Sequence, residues 1–195
     1  MSIPIPHRPS GFLLGDPCAD VTIDVFVDIQ CPHSLAMWGT LMNVLTHYKN
    51  KSLSLKVHLM TLSDHRQAWD VSLGLLALAN GNAAKFYDFA TFLYERQKRF
   101  NNASFSNKTH DDLKQLIADF ADEFSTMENI DFERNQFLEK MASHDIYIQG
   151  RTPIRYAATR SVWATPTVFI NNAGKVPVDH QSKLSDWLEV IDPLL

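Results

Sequence analysis

Residues 21–29, VTIDVFVDI, put Val21, Ile23, Val25, Val27 and Ile29 on one side and Thr22, Asp24, Phe26 and Asp28 on the other. A period of two, rich in β-branched side chains, predicts a strand. Directly after it, Leu35, Trp38, Leu41, Leu45 and Tyr48 recur at helical spacing and predict a helix over 33–48. Residues 53–60, LSLKVHLM, alternate again and predict a second strand. Strand, helix and strand in so short a span imply a right-handed crossover and a parallel pair. That unit commits the chain to an α/β architecture.

From about residue 64 to 162 the strand signal disappears. Trp69, Leu73, Leu76 and Ala79 form one helical stripe that stops near Gly81, and Asn82 can cap the next, with Phe86, Phe89, Phe92 and Leu93 inward. Thr109 opens a helix carrying Asp111 and Asp112 in its first turn, where acidic groups suit the helix dipole. Asp131 is expected to cap a further helix that buries Phe137, Leu138 and Met141. Thr152-Pro153 fits either the start of a helix running to Arg160 or a kink within a longer one. Strands return at Thr167–Ile170 and, after an Asn171-Asn172-Ala173-Gly174 turn, at Val176–Val178. A last helix takes Leu184, Trp187, Leu188 and Ile191 inward. The expected division is therefore 18–62 (β-α-β), a helical insertion over 63–152, and 153–195 (α-β-β-α).

Composition narrows the function classes. The 195 residues are 45% apolar and 21% charged with a net charge of −4, which excludes a disordered chain and supplies no global field for nucleic acid or anionic membrane. No apolar run reaches the length of a membrane span, and prolines at 4, 6 and 9 interrupt any leader-like helix, so a cytoplasmic location is expected. With only Cys18 and Cys31, neither a disulfide-stapled fold nor a Cys₄ or Cys₃His zinc site can form. The histidines other than His33 show no ligand spacing and read as surface or satisfied core side chains. No metal site and no Ser-His-Asp arrangement is apparent.

Asp28-Ile-Gln-Cys31-Pro32-His33-Ser34 lies where the first strand feeds its helix. A cysteine capping that helix points its sulfur at unpaired N–H groups and the positive dipole end, which favours a thiolate, and a protonated His33 adds charge of the same sign. Pro32 suits the first helical position because its missing N–H would be an orphan anyway. The inert alternative is a buried structural cysteine. Far along the chain, Ala164-Thr165-Pro166-Thr167 leads straight into a strand, a place where a cis proline is a constrained feature.

Taken together, Cys31-Pro32-His33-Ser34 and Thr165-Pro166-Thr167 resemble the motifs of DsbA-like proteins of the thioredoxin fold, over residues 20 to 192. The resemblance implies a mixed central sheet with an all-helical insertion. It makes Cys31 the attacking thiolate, His33 the neighbour that tunes it, and Pro166 a cis proline facing the thiol. Thr165 would offer its backbone to an extended substrate or to glutathione, and Asp28 matches an acidic position three residues before the cysteine. Ser34 departs from the pattern, since a dithiol enzyme keeps its resolving cysteine there. Ser34 can still donate a hydrogen bond to the Cys31 thiolate. Cys18 cannot substitute, because a nine-residue strand at ~3.3 Å per residue separates the two cysteines by roughly 30 Å.

The expected activity is thus monothiol disulfide exchange, with glutathione as a co-substrate rather than a bound cofactor, or with protein mixed disulfides. Two alternatives share the fold: a glutathione-dependent transferase or isomerase of the kappa-class type, and a non-catalytic binding protein. Asp28 is a possible proton acceptor. Arg151, Arg155 and Arg160 are candidates for a glutathione carboxylate, against a solvated face. Trp38, Trp69 and Trp163 read as core, with Trp163 alternatively beside Cys31 as a substrate contact.

Overall fold

The computed structural model describes residues 5–49, 52–174 and 176–195. Its sheet is built from β1 (Phe12–Gly15), β2 (Val21–Val27), β3 (Leu53–Leu59) and β4 (Thr167–Ile170), in the order β1-β3-β2-β4. β2 and β3 are parallel, as a β-α-β crossover requires, and β1 and β4 run antiparallel to their neighbours. α1 (Pro32–His47) makes the crossover. Between β3 and β4 lie α2 (Ala68–Ala79), α3 (Ala83–Glu95), α4 (His110–Met127), α5 (Arg134–Met141) and α6 (His144–Thr159), and α7 (Leu184–Ile191) closes the chain against α1.

The alternation of β2 sorts its two faces. Val21, Ile23, Val25 and Val27 enter the main core with Met37, Trp38, Leu41 and Trp187, while Phe26 packs on the other face against Ala157, Val162 and Tyr156. Local signals hold at two helix starts. Asn82 accepts a hydrogen bond from the Lys85 amide, and Thr109 and Asp112 form a reciprocal capping box.

Two expectations need correction, one open choice is decided, and one strand gave no signal. β1 carries no readable period in its four residues, yet it pairs with β3. The cap of α5 is Glu133, not Asp131, and its carboxylate accepts from the amides of Asn135 and Gln136. Pro153 lies inside a continuous α6 capped by Ser143, which decides for the longer helix of the two readings. Residues 176–178 form no strand: after β4 the chain turns through Asn171 and Asn172 at φ 48° and 65° and makes a single bridge between Ile170 and Ala173. Pro177 lacks the N–H a ladder would use there.

The tertiary structure also aligns a Ser-His-Asp row that the chain order hides. Ser10 Oγ lies 2.8 Å from His58 Nδ1, and His58 Nε2 lies 3.0 Å from Asp24 Oδ1. The imidazole is 1% exposed and stacked on Phe26 at 4.7 Å, so it is sealed away from any substrate. Gly11 (φ +90°) permits the close approach, since a Cβ there would sit 2.6 Å from the ring. The row clips the N-terminal segment to the sheet. Burial holds the His58 pKa below its usual value; the Asp24 carboxylate opposes this, and Lys56 and Arg160 reinforce it. A neutral ring donating from Nε2 to Asp24 and accepting from Ser10 satisfies both nitrogens.

A histidine with a lowered folded pKa contributes stability above the unfolded value of about 6.5, and this is lost as pH falls toward the folded pKa. The urea midpoint should therefore drop between about pH 7 and pH 5, and the drop should shrink in His58→Gln. Equal slopes in the two proteins would refute the assignment.

Candidate active site

Cys31 is the N-cap of α1, with extended backbone angles (φ −72°, ψ 123°) and Pro32 at the first helical position. Its sulfur makes no capping hydrogen bond. The Cys31 thiol instead donates across the site to the carbonyl of Thr165, 3.3 Å away, immediately before a cis Thr165–Pro166 bond. The two motifs that lie 134 residues apart in sequence thus meet at one sulfur. Cys31 is 2% exposed, whereas Cys18 is exposed at the opposite end of β2, and both are free thiols.

Ser34 sits one turn into α1 and is fully buried. Its hydroxyl does not turn toward Cys31 as expected. It accepts from the Asp28 amide at 3.2 Å and is hydrogen-bonded to Tyr94. Tyr94 in turn donates to the Asp28 carbonyl at 3.2 Å. Burial, with Asp28 and Cys31 close by, pushes the Tyr94 hydroxyl well above its ordinary pKa, so it stays protonated.

The Asp28 carboxylate lies beneath the loop and is closed off from solvent. One oxygen accepts from the Gln30 amide at 2.7 Å. The other accepts from the Leu62 amide at 2.7 Å and faces His65 Nδ1 at 3.0 Å. Burial raises the Asp28 pKa above the usual carboxylate value, although each of these partners pulls it down. The only titratable partner among these, His65, is part-exposed.

Helical residues lock the same loop from the other side. Gln97 donates from one nitrogen to the carbonyls of Ile29 and Cys31, each at 3.1 Å. Gln30 bridges Gln67 and Asn102 at 3.0 and 2.9 Å. These residues carry no motif, and their only sequence signal is a polar side chain beside apolar stripes.

His33 is exposed and its ring packs 4.1 Å from that of His180, which the chain brings in from beyond β4. Thr165 is 7% exposed, and its hydroxyl is buried without a hydrogen-bond partner. Trp38 is core and Trp69 packs against it, but Trp163 is 83% exposed and overturns the core expectation. Arg160 lies over Phe169 and bonds Asn172, and Arg151 lies over Tyr147. Among the described residues no group of three or more His, Cys, Asp or Glu side chains could hold a metal ion, and no helix is long and apolar enough to cross a membrane.

A parallel β-α-β unit, a cysteine capping its helix and a cis proline facing the sulfur define a thioredoxin-like fold with a helical insertion. A family model described as thioredoxin matches residues 7–193, and the chain belongs to that family. No curated protein matches the sequence. Among solved structures the chain is similar to α-DsbA1 of Wolbachia pipientis, at TM-score 0.72 and 16% identity over 97% of this chain and 93% of that one. It is similar also to DsbA of Chlamydia trachomatis (0.70, 16%, covering 100% and 96%) and to BdbD of Bacillus subtilis (0.69, 16%, covering 95% and 97%). The fold is that of DsbA-like proteins.

Proposed function

We propose that the protein is a thiol–disulfide oxidoreductase that works through Cys31 as its single nucleophile. The observation that carries this reading is the 3.3 Å approach of Cys31 Sγ to the Thr165 carbonyl at the N-terminus of a 16-residue helix. The Cys31 thiolate attacks one sulfur of a disulfide, a new S–S bond forms, the old one breaks, and the departing thiolate takes a proton from water. With Ser34 behind it, Cys31 has no partner thiol to expel the adduct. A second, external thiol, from glutathione or a protein, attacks the mixed disulfide and regenerates Cys31. The substrate backbone would lie along Thr165 and Pro166, with His33 beside the entrance. Asp28, bonded to part-exposed His65, is the group in this network able to store and release a proton.

Intact mass after incubation with glutathione disulfide tests the proposal. One glutathione adduct is expected, mapped to Cys31, kept in Cys18→Ser and lost in Cys31→Ser. An unmodified Cys31, or an adduct confined to Cys18, would sink the reading.

A further inference from the structure

The face of the sheet that carries Thr22, Asp24 and Phe26 has a pocket that the chemistry at Cys31 does not use. A cavity of about 450 Å³ opens there between the N-terminal segment, β1, β2, β3, α6 and the turn after β4. Its size is that of a small-molecule site. Cys31 follows the C-terminal end of β2, whereas this cavity lies over the N-terminal half of that strand.

Two opposite charges meet in it. Asp24 and Lys56 are register partners on the parallel strands β2 and β3, so their side chains leave the same face of the sheet. Neighbouring strands lie about 4.8 Å apart, yet these two residues make no ion pair with each other. Asp24 Oδ1 is instead taken by His58 Nε2 at 3.0 Å, and Oδ2 has no hydrogen-bond partner among the described residues. Among the same residues no hydrogen bond or ion pair engages the Lys56 ammonium, while its stem lies against Gly11. Burial disfavours the Asp24 anion, but the His58 hydrogen bond and the nearby Lys56 and Arg160 outweigh it and hold the pKa below the usual carboxylate value. Both signs are therefore present at neutral pH.

The walls are fixed by contacts that do not fill the cavity. The Ser10–His58 hydrogen bond holds Pro9 and Ser10 along one side. Arg160 donates to the Tyr156 hydroxyl and to the Asn172 side chain, each at 3.3 Å, which pins another. Leu13, Pro17 and Tyr156 add apolar surface.

We propose that this cavity binds a free α-amino acid with an apolar side chain, its carboxylate on Lys56 and its ammonium on Asp24. The proposal is independent of the reading of Cys31. A simple carboxylate would meet the unanswered charge of Asp24, and a simple amine would meet that of Lys56. A zwitterion answers both, and its two charges, joined through one carbon, suit groups on adjacent strands. Charge-assisted hydrogen bonds at the two ends orient the ligand. Burial of its side chain against Leu13, Pro17 and Tyr156 adds an apolar contribution.

The test titrates the full chain with three probes of similar size and follows the backbone amides by NMR. The probes are L-phenylalanine, 3-phenylpropionate, which lacks the ammonium, and phenethylamine, which lacks the carboxylate. Phenylalanine is expected to bind saturably, at about millimolar Kd or tighter, and to shift the amides of residues 22–24 and 54–58. Its affinity should exceed that of either singly charged probe by about tenfold or more. In Lys56→Gln the affinity for phenylalanine should fall by about tenfold or more, with the fold checked in the same spectra. The comparison of probes needs no variant, so it decides the matter even where the substitution disturbs the sheet. No saturable shift with phenylalanine, equal affinities for the three probes, or an affinity unchanged in folded Lys56→Gln overturns the proposal.

Discussion

Ser34→Cys is expected to convert a protein that accumulates a mixed disulfide into one that expels it. On the proposed monothiol reading, the adduct on Cys31 of the native chain waits for an external thiol. Position 34 lies three residues along the helix, about 4.5 Å of axial rise from position 31. That separation falls in the range a disulfide tolerates, so a thiol introduced there reaches Cys31 once its side chain turns away from the Asp28 amide. An intramolecular thiol competes with millimolar external thiol at an advantage of about a thousandfold or more, because its encounter entropy is already spent.

The substitution has a local cost. The Asp28 amide and Tyr94 would lose their hydroxyl partner, and sulfur is a weak acceptor, so about 1 kcal/mol of stability is expected to go. Quenched-flow mass spectrometry of the protein preloaded with glutathione at Cys31 measures the effect. The adduct should disappear without added thiol, leaving a 31–34 disulfide two hydrogen atoms lighter than the dithiol, with glutathione released as its thiol. An adduct as long-lived as that of the native chain would refute the view that Ser34 occupies the resolving position.

Asp28→Leu is expected to cost about 3 kcal/mol of folding stability at neutral pH. The buried amides of Gln30 and Leu62 would lose their acceptor and find no water in its place, and His65 would lose its partner. Asp28→Asn should cost less, since one oxygen remains, although its amide group then faces a donor. The pH dependence has a definite sign. Burial raises the folded pKa of Asp28 above the unfolded value near 3.8. A carboxyl shifted in that direction contributes stability that is complete below the unfolded pKa and is lost as pH rises through the folded one. The stability gap between the native chain and Asp28→Asn should therefore narrow from about pH 3 upward. Denaturant titrations of both proteins across that range check this, and a gap that widens with pH would show that Asp28 is held below its unfolded pKa.

Much of this molecule is legible before folding, because short-range patterns carry it. The period of two in 21–29 and 53–60 and the stripe between them specify β2, α1 and β3 within a few residues, since each side chain's face is set by local geometry. Thr109 and Asn82 announce their helices because capping joins residues only three apart. The pairing of Cys31-Pro32-His33-Ser34 with Thr165-Pro166 is visible as two motifs, although only folding brings the sulfur to the carbonyl.

Where the reading failed, the deciding partner was distant. β1 exists because β3 supplies its hydrogen bonds, and no four-residue segment encodes that. Glu133 displaced Asp131 as a cap because packing, not residue type, decides which of two nearby acids meets the first free amides. Trp163 was read either as core or as a contact beside Cys31; whether an indole is covered depends on what lies over it, and at 83% exposure it is not core. Ser10, His58 and Asp24 make one row only because β3, which carries His58, lies between the N-terminal segment and β2.

The sequence by itself determined the β-α-β unit, the cysteine at its helix start, the opposing proline motif and the serine three residues after that cysteine. All of these are contiguous residues whose physics is local. Only the tertiary structure decided that Tyr94, Gln97, Gln67 and Asn102 lock the loop that carries Cys31, that Asp28 is sealed against His65, and that Trp163 is left exposed. Burial and long-range hydrogen bonding are properties of which segments meet, and that is settled by the whole chain at once.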